Sequence, residues 1–370
     1  MTHVALVIPT IDRIGGAESQ VLLLAHGLSR RGMRVTVVAF SGTGGDAAAA
    51  LTAAGIGFVP LGLRKALADL RGWFRFRRWL LRERPHIVHA HLPHAAWFAR
   101  ASRLFAPIPV LIDTIHTTAT GTIVRRLGYR LSARIPDAVT AVSDSVARAY
   151  NAARMIVPER LRVIPNGIDL AQWQPDRSAR ATARRTLGVD REFLWLAAGR
   201  LEPVKDYPTL LRAFARLSNS AHLAIAGAGP CEQALRRLAH DLDIEPRVRF
   251  LGFQQQLAHT MQAADGFVLS SRWEGLPVAV LEASACALPT VATAVLGTTD
   301  VVRDGETGLL AAPGNPGALA DAMQRLMDMP AHQREALGQR AQQDVTARYG
   351  LDQVLDRWQS LYSELLAQPR

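Results

Sequence analysis

The stretch Ser271-Arg272-Trp273-Glu274-Gly275-Leu276-Pro277-Val278-Ala279-Val280-Leu281-Glu282-Ala283 decides the fold. It follows the apolar run Gly266 to Ser270, short and uninterrupted, which reads as a strand buried on both faces of a parallel sheet. It leads into Ala279 to Ala287, which reads as a short helix, and Gly275 and Pro277 suit a tight strand-to-helix passage. Two carboxylates flank that passage, Glu274 on the loop and Glu282 on the helix. Open α/β sheets bind ligands beyond the C-terminal ends of their strands, so both can face such a crevice. As ordinary surface residues, Glu274 would instead complement the positive end of the helix and Glu282 would be solvated.

Outward from this unit, the strand–glycine turn–helix pattern repeats. Phe193 to Ala198 reads as a strand and runs through Gly199, Arg200 and Lys205 into a helix over Tyr207 to Leu217. Two cations at a helix entrance can hold a diphosphate and stabilise charge on its departure. Arginine forks onto phosphate oxygens, whereas lysine acts as a point charge; plain solvent exposure is the alternative for both. Strands at His222 to Ala226 and Arg247 to Leu251 each end in a glycine turn, the first carrying Gly229 and the second Gly252 and Phe253. In the first half, His3 to Pro9 precedes a turn containing Ile14, Gly15 and Gly16, then a helix from about Ser19 to Arg31. Backbone can approach a ligand closely at glycine, and a helix N-terminus offers free N–H groups to an anion, although a simple turn fits the spacing equally. Further strands are expected at Met33 to Phe40, Gly55 to Leu61, Ile87 to Ala90, Pro109 to Ile115, Asp137 to Val142 and Leu288 to Ala292. A chain of 370 residues exceeds one compact core, so two α/β domains are expected.

The setting Ser-x-x-Glu274-Gly-Leu-Pro-x-x-x-x-Glu282-Ala resembles the signature of the retaining glycosyltransferases of family 4. Other elements of that family recur in order: Thr114-Ile115-His116-Thr117, Pro165-Asn166-Gly167-Ile168-Asp169, and the loop from Gly199 and Arg200 to Lys205 and Asp206. The resemblance runs from about Val4 to about Leu366. It implies the GT-B fold: two Rossmann-like domains with parallel sheets facing across a cleft and a C-terminal helix crossing back to the first. The expected boundaries are 1–168 for the acceptor-side domain, 169–350 for the nucleotide-sugar domain and 351–370 for the crossing helix, with Trp358 and Tyr362 as packing anchors. The implied reaction moves a hexose or N-acetylhexosamine from a nucleotide diphosphate to an acceptor hydroxyl with retained configuration, and UDP is the favoured carrier.

The same resemblance implies the roles. Arg200 and Lys205 hold the diphosphate. Glu282 accepts hydrogen bonds from the ribose hydroxyls. Glu274 and the backbone of Gly275, Leu276, Pro277 and Val278 orient the hexose, and His116 contacts it from the other domain. The Gly16 turn lies against the diphosphate or the acceptor, the Gly229 turn faces the nucleotide, and Phe253 lies beside the base. The catalytic set is thus His116, Arg200, Lys205 and Glu274, with no metal or other cofactor required. The loop Val295 to Val302 departs from the family, which more often has glycine, proline and glutamate where Leu296, Thr299 and Asp300 stand.

Charge points to a partner. Lys and Arg total 43 against 32 Asp and Glu, a formal charge of +11, which attracts nucleic acid, anionic lipid or anionic small molecules alike. No nucleic-acid-binding motif is present. From Arg64 to Arg84, eight basic residues interleave with Trp73, Phe74, Phe76 and Trp79. Arg71, Arg75, Arg78 and Arg82 share one helical face, and Leu67, Leu70, Phe74 and Leu81 another, with Trp73 and Leu80 beside it. That suits an element lying on an anionic membrane, or a crossover helix with a solvated basic face. Arg125, Arg126, Arg130 and Arg134 add to the basic character of the first half. His89, His91 and His94 lack acidic partners at metal-binding spacing and read as packing or acceptor contacts. Cys231 and Cys286 form no disulfide framework, no apolar run reaches the ~18 residues of a membrane helix, and no leader pattern opens the chain. The expectation is a cytoplasmic enzyme, peripheral at the inner face of the membrane, acting on a lipid-linked glycan acceptor in polysaccharide or lipopolysaccharide assembly. A small soluble acceptor, or a nucleotide-sugar-binding protein without turnover, are the alternatives.

Overall fold

A computed structural model describes residues 1–12, 15–63, 70–175 and 177–368. Ile14 and the Arg64 to Asp69 part of the basic segment, Leu67 included, lie outside the described residues. The chain divides into two compact units, 1–167 with 351–370, and 168–350.

The first unit is a seven-stranded parallel sheet: β1 (His3–Ile8), β2 (Arg34–Ala39), β3 (Gly57–Pro60), β4 (Ile87–His91), β5 (Val110–Ile115), β6 (Ala138–Ala141) and β7 (Leu161–Val163), in the order β3-β2-β1-β4-β5-β6-β7. Its helices are α1 (Gly16–Arg30), α2 (Gly45–Ala53), α3 (Leu70–Glu83), α4 (Pro93–Arg103), α5 (Ile123–Leu131) and α6 (Asp144–Ala152). β1, β4, β5 and β6 are buried throughout, because helices cover both faces. Right-handed crossovers place α1 and α2 on one face and the helices after β3 on the other. The C-terminal helix, α14 (Leu351–Ala367), belongs to this unit and packs against α1. A Cβ on Gly27 would stand 2.6 Å from Leu355, so glycine is what lets these two helices approach. Trp358 and Tyr362 are buried in the same core, as the sequence predicts.

On the opposite face α3 packs on α4 through Trp73 and Phe98, with ring centroids 4.4 Å apart. This corrects the expected faces of the basic helix. Phe76, Trp79 and Leu80 are buried, whereas Phe74 is 70% and Leu81 39% exposed. The inward positions 72, 76, 79 and 80 lie at helical spacing, and the expected apolar face at Phe74 and Leu81 is the one that meets solvent.

The second unit is a six-stranded parallel sheet of β8 (Phe193–Ala198), β9 (Ala221–Ala226), β10 (Val248–Gly252), β11 (Gly266–Leu269), β12 (Thr290–Thr293) and β13 (Leu309–Ala311), in the order β10-β9-β8-β11-β12-β13. It is covered by α7 (Arg177–Thr186), α8 (Tyr207–Phe214), α9 (Glu232–Asp241), α10 (Leu257–Ala263), α11 (Val278–Ala285), α12 (Pro316–Asp328) and α13 (Ala331–Tyr349). The chain steps outward from β8 through β9 to β10, then returns to place β11 on the other side of β8. The loops leaving β8 and β11 therefore diverge at a topological switch point, where open sheets of this kind bind ligands.

Candidate active site

In the second unit, the two motif loops leave adjacent strands. The β8 loop carries Arg200 and Lys205; the β11 loop carries Ser271 and Glu274. Lys205 Nζ donates to Glu274 Oε1 at 2.6 Å, and Ser271 Oγ donates to the same oxygen at 2.6 Å. The pair is largely enclosed, with 21% of the lysine and 11% of the glutamate side chain exposed, so the charge-assisted bond is stronger here than on an open surface. Lysine has three N–H donors and one is committed to Glu274, so the ammonium can still bind an anion.

The loops are stitched by groups that the motif reading passed over. Ser270 Oγ donates to Lys205 O at 2.7 Å, Arg272 N to Val204 O at 2.8 Å, and Thr293 Oγ1 to Ser271 O at 2.6 Å. Asp206, buried and left-handed at φ 47°, accepts from Thr209 Oγ1 at 2.9 Å and pairs with Arg272 at 3.2 Å. Arg200 is 62% exposed and pairs with Glu202 at 3.1 Å, a partner a bound phosphate would have to displace. Seryl and threonyl hydroxyls flanking an apolar strand are the sequence signal that could have found this framework.

Glu282 lies on α11. The residue is half-buried, and burial pushes the pKa of its carboxyl up to about 8. Among the described residues that carboxyl makes no hydrogen bond or ion pair. Gly275, Leu276 and Pro277 are buried just before α11, with Pro277 at its N-cap and Val278 its first residue. The Val295 to Val302 loop, despite its altered side chains, presses its backbone on this turn: a Cβ on Gly297 (φ 85°) would meet Gly275 O at 2.6 Å and Glu274 O at 2.7 Å. Gly229 is equally constrained, since a Cβ there would lie 2.5 Å from Leu201 O. Phe253 follows β10 and is 61% exposed, free to meet a planar ligand.

In the first unit, His116 follows β5, and its Nε2 lies 3.1 Å from His91 Nδ1 at the end of β4. Burial lowers the His116 pKa to about 4 and that of His91 well below its usual value, so both imidazoles are neutral at physiological pH. His116 Nδ1 and His91 Nε2 are buried without a partner among the described residues. Both rings line a small cavity with Gln20, Thr114, Asn166 and Trp358. His89 is a core residue: its ring contacts Trp358, Nδ1 lies 2.8 Å from Tyr362 Oη, and Nε2 2.6 Å from Thr114 Oγ1. Thr140 Oγ1 donates to Asp113 O, so Thr114 donates to Thr140 and His89 Nε2 donates to Thr114. Tyr362 is then the donor to Nδ1. His94 is exposed and takes no part in this cluster. The Gly16 turn differs from an open anion site: Gly15 N donates to the Glu18 carboxylate at 3.0 Å, which sets a negative charge at the start of α1. No group of three or more metal-ligating side chains converges among the described residues.

Two family profiles match, glycosyltransferase family 4 over residues 14–172 and glycosyl transferases group 1 over residues 180–344. The chain is 30% identical over 312 residues to a D-inositol 3-phosphate glycosyltransferase of Acidothermus cellulolyticus, covering 77% of this chain and 68% of that protein. Relatives of the same name align over as little as 47% of their own length. It is 28% identical over 301 residues to the N-acetyl-alpha-D-glucosaminyl L-malate synthase of Bacillus anthracis, covering 77% and 76%. It is 25% identical over 288 residues to the UDP-Gal:alpha-D-GlcNAc-diphosphoundecaprenol alpha-1,3-galactosyltransferase of Escherichia coli, covering 73% and 74%. Among solved structures, Anabaena HepE in complex with UDP-glucose superposes with a TM-score of 0.89 at 21% identity, covering 98% of this chain and 99% of that one.

Proposed function

Because the chain belongs to glycosyltransferase family 4 and is a glycosyltransferase, we propose that it transfers a hexose or N-acetylhexosamine from UDP to a hydroxyl of a small soluble acceptor, with retained anomeric configuration. The observation that carries the donor half is the Lys205–Glu274 pair at the β8/β11 switch point, with the unpartnered Glu282 carboxyl on the next helix. In this reading Lys205 and Arg200 hold the diphosphate, and their charge stabilises the transition state because negative charge grows on the leaving group as the glycosidic bond breaks. Glu282 accepts from the ribose hydroxyls, Glu274 and the Gly275 to Val278 backbone orient the sugar, and neutral His116 contacts the hexose. The acceptor attacks the face from which the diphosphate departs, and the diphosphate takes its proton. Relatives named for inositol phosphate and malate acceptors support the soluble acceptor.

A lipid-linked glycan acceptor is a second reading, which would place the enzyme in polysaccharide or lipopolysaccharide assembly, peripheral at the inner face of the membrane. The basic α3 and the diphosphoundecaprenol-utilising relative favour it. The test is a panel of UDP-, GDP- and ADP-sugars scored by protection against thermal unfolding, followed by transfer assays with the preferred donor. Inositol phosphates and hydroxy acids are compared there with polyprenyl-diphosphate-linked sugars. Stronger protection by GDP-mannose would reverse the choice of donor, and transfer to the lipid-linked sugar alone would reverse the choice of acceptor.

A further inference from the structure

An unexplained apolar surface lies on α5 rather than on α3. Ile123, Val124, Leu127 and Leu131 recur at helical spacing and are 74%, 73%, 52% and 80% exposed. Only Tyr129 of this helix is buried. A helix of a water-soluble domain ordinarily turns its apolar stripe toward the core; α5 turns four large aliphatic side chains away from it. From Thr114 to Pro136 the chain carries Arg125, Arg126, Arg130 and Arg134 and no carboxylate. Arg125 donates to Tyr150 Oη at 2.8 Å and Arg130 to Ala153 O, so these guanidinium groups are anchored beside the stripe rather than free to fold over it.

The neighbouring helices extend the pattern. A Cβ on Gly128 would lie 2.9 Å from Trp97, which seats α5 against α4. Arg77 of α3 donates to Phe105 O at 2.9 Å, which ties α3 to the end of α4. Leu104 and Phe105 at that end are 67% and 66% exposed, and Phe74 projects from α3. Exposed apolar groups thus occur on all three members of one helical layer, among arginines.

We infer that this layer, led by the Ile123–Leu131 stripe of α5, docks on an anionic lipid bilayer. The apolar side chains enter the headgroup boundary, and the exposed Arg130 and Arg134 meet lipid phosphates. Charge complementarity selects this occupant: a bilayer rich in acidic lipid supplies both an apolar interior and a dense negative surface. A second copy of this chain would instead bring like charges together. The inference concerns where the enzyme works and does not depend on which acceptor it uses.

The experiment is co-sedimentation of the full chain with phosphatidylcholine vesicles, with and without phosphatidylglycerol, over a salt series. It compares the parent, the quadruple variant I123Q/V124Q/L127Q/L131Q, and a variant with Arg71, Arg75, Arg78 and Arg82 of α3 changed to Gln. The parent should bind only phosphatidylglycerol-containing vesicles and leave them as salt rises. The α5 variant should bind at least about tenfold more weakly, while its melting temperature and its protection by UDP stay at parent values. No vesicle binding by the parent overturns the inference. So does equal binding of parent and α5 variant, or binding lost only in the α3 variant. Concentration-dependent dimerisation of the parent, abolished in the α5 variant without vesicle binding, would assign the stripe to self-association instead.

Discussion

Protonation of Glu282 gives the sharpest handle on the proposed donor site. Burial raises its pKa from 4.5 to about 8, so at pH 7 the carboxyl of the ligand-free protein is mostly protonated. A protonated carboxyl can donate one hydrogen bond, but it accepts poorly from a ribose diol, which offers two O–H groups. If the diol binds the carboxylate, those hydrogen bonds must first support ionisation, which one unit below the pKa costs about 1.4 kcal/mol. Binding then releases close to one proton, and affinity for a UDP-sugar should fall about tenfold per unit as pH drops from about 8 toward 5. The same group shapes stability. Above pH 4.5 the unfolded chain loses this proton first, so ligand-free stability contributed by Glu282 declines as pH rises from 4.5 to about 8, and bound donor should flatten that decline. Titration calorimetry in buffers of different ionisation enthalpy counts the proton directly. Glu282→Gln cannot ionise; it should bind about tenfold more weakly at pH 8 and show no slope. A flat pH dependence in the parent, or the same slope in Glu282→Gln, would refute the reasoning.

Lys205→Ala removes the ammonium that pairs with the enclosed Glu274 carboxylate, and should lower kcat by about a hundredfold while also weakening donor binding; single-turnover kinetics with saturating donor separates the two effects. Tyr362→Phe removes the donor to buried His89 Nδ1 and should destabilise the first unit by about 1–3 kcal/mol in urea unfolding, with donor affinity unchanged. His116 and His89 fold with pKa values lowered by burial to about 4 and about 3. Their unfolded forms gain protons first, so stability should be lost as pH falls below about 6.5, with His116 contributing down to about 4; changing either ring to Phe should shift the acid-unfolding midpoint downward if the variant packs.

Sequence by itself determined the alternation of strands and helices, the parallel sheets and the glycine-bearing loops between them. These are local properties: the continuous apolar run at Gly266 to Leu269, the glycine turn after it and the helix beginning at Val278 all fall within a few residues. The placement of Arg200, Lys205 and Glu274 in loops after strands, and of Glu282 on the helix that follows, was legible for the same reason. Which groups meet was not legible. Lys205 and Glu274 are 69 positions apart and touch only because β11 returns to the far side of β8. His91 and His116 pair because β4 and β5 are neighbours in the first sheet. The raised pKa of Glu282 and the neutral imidazoles follow from desolvation, a property of every atom packed around them rather than of the residue or its neighbours in the chain. The two basic helices teach the same distinction. Composition marks α3 and α5 as amphipathic, but only packing on α4 decides that Phe76 and Trp79 turn inward while the aliphatic stripe of α5 turns out. A helix has two sides by virtue of its period, and the sheet beneath it determines which one water sees.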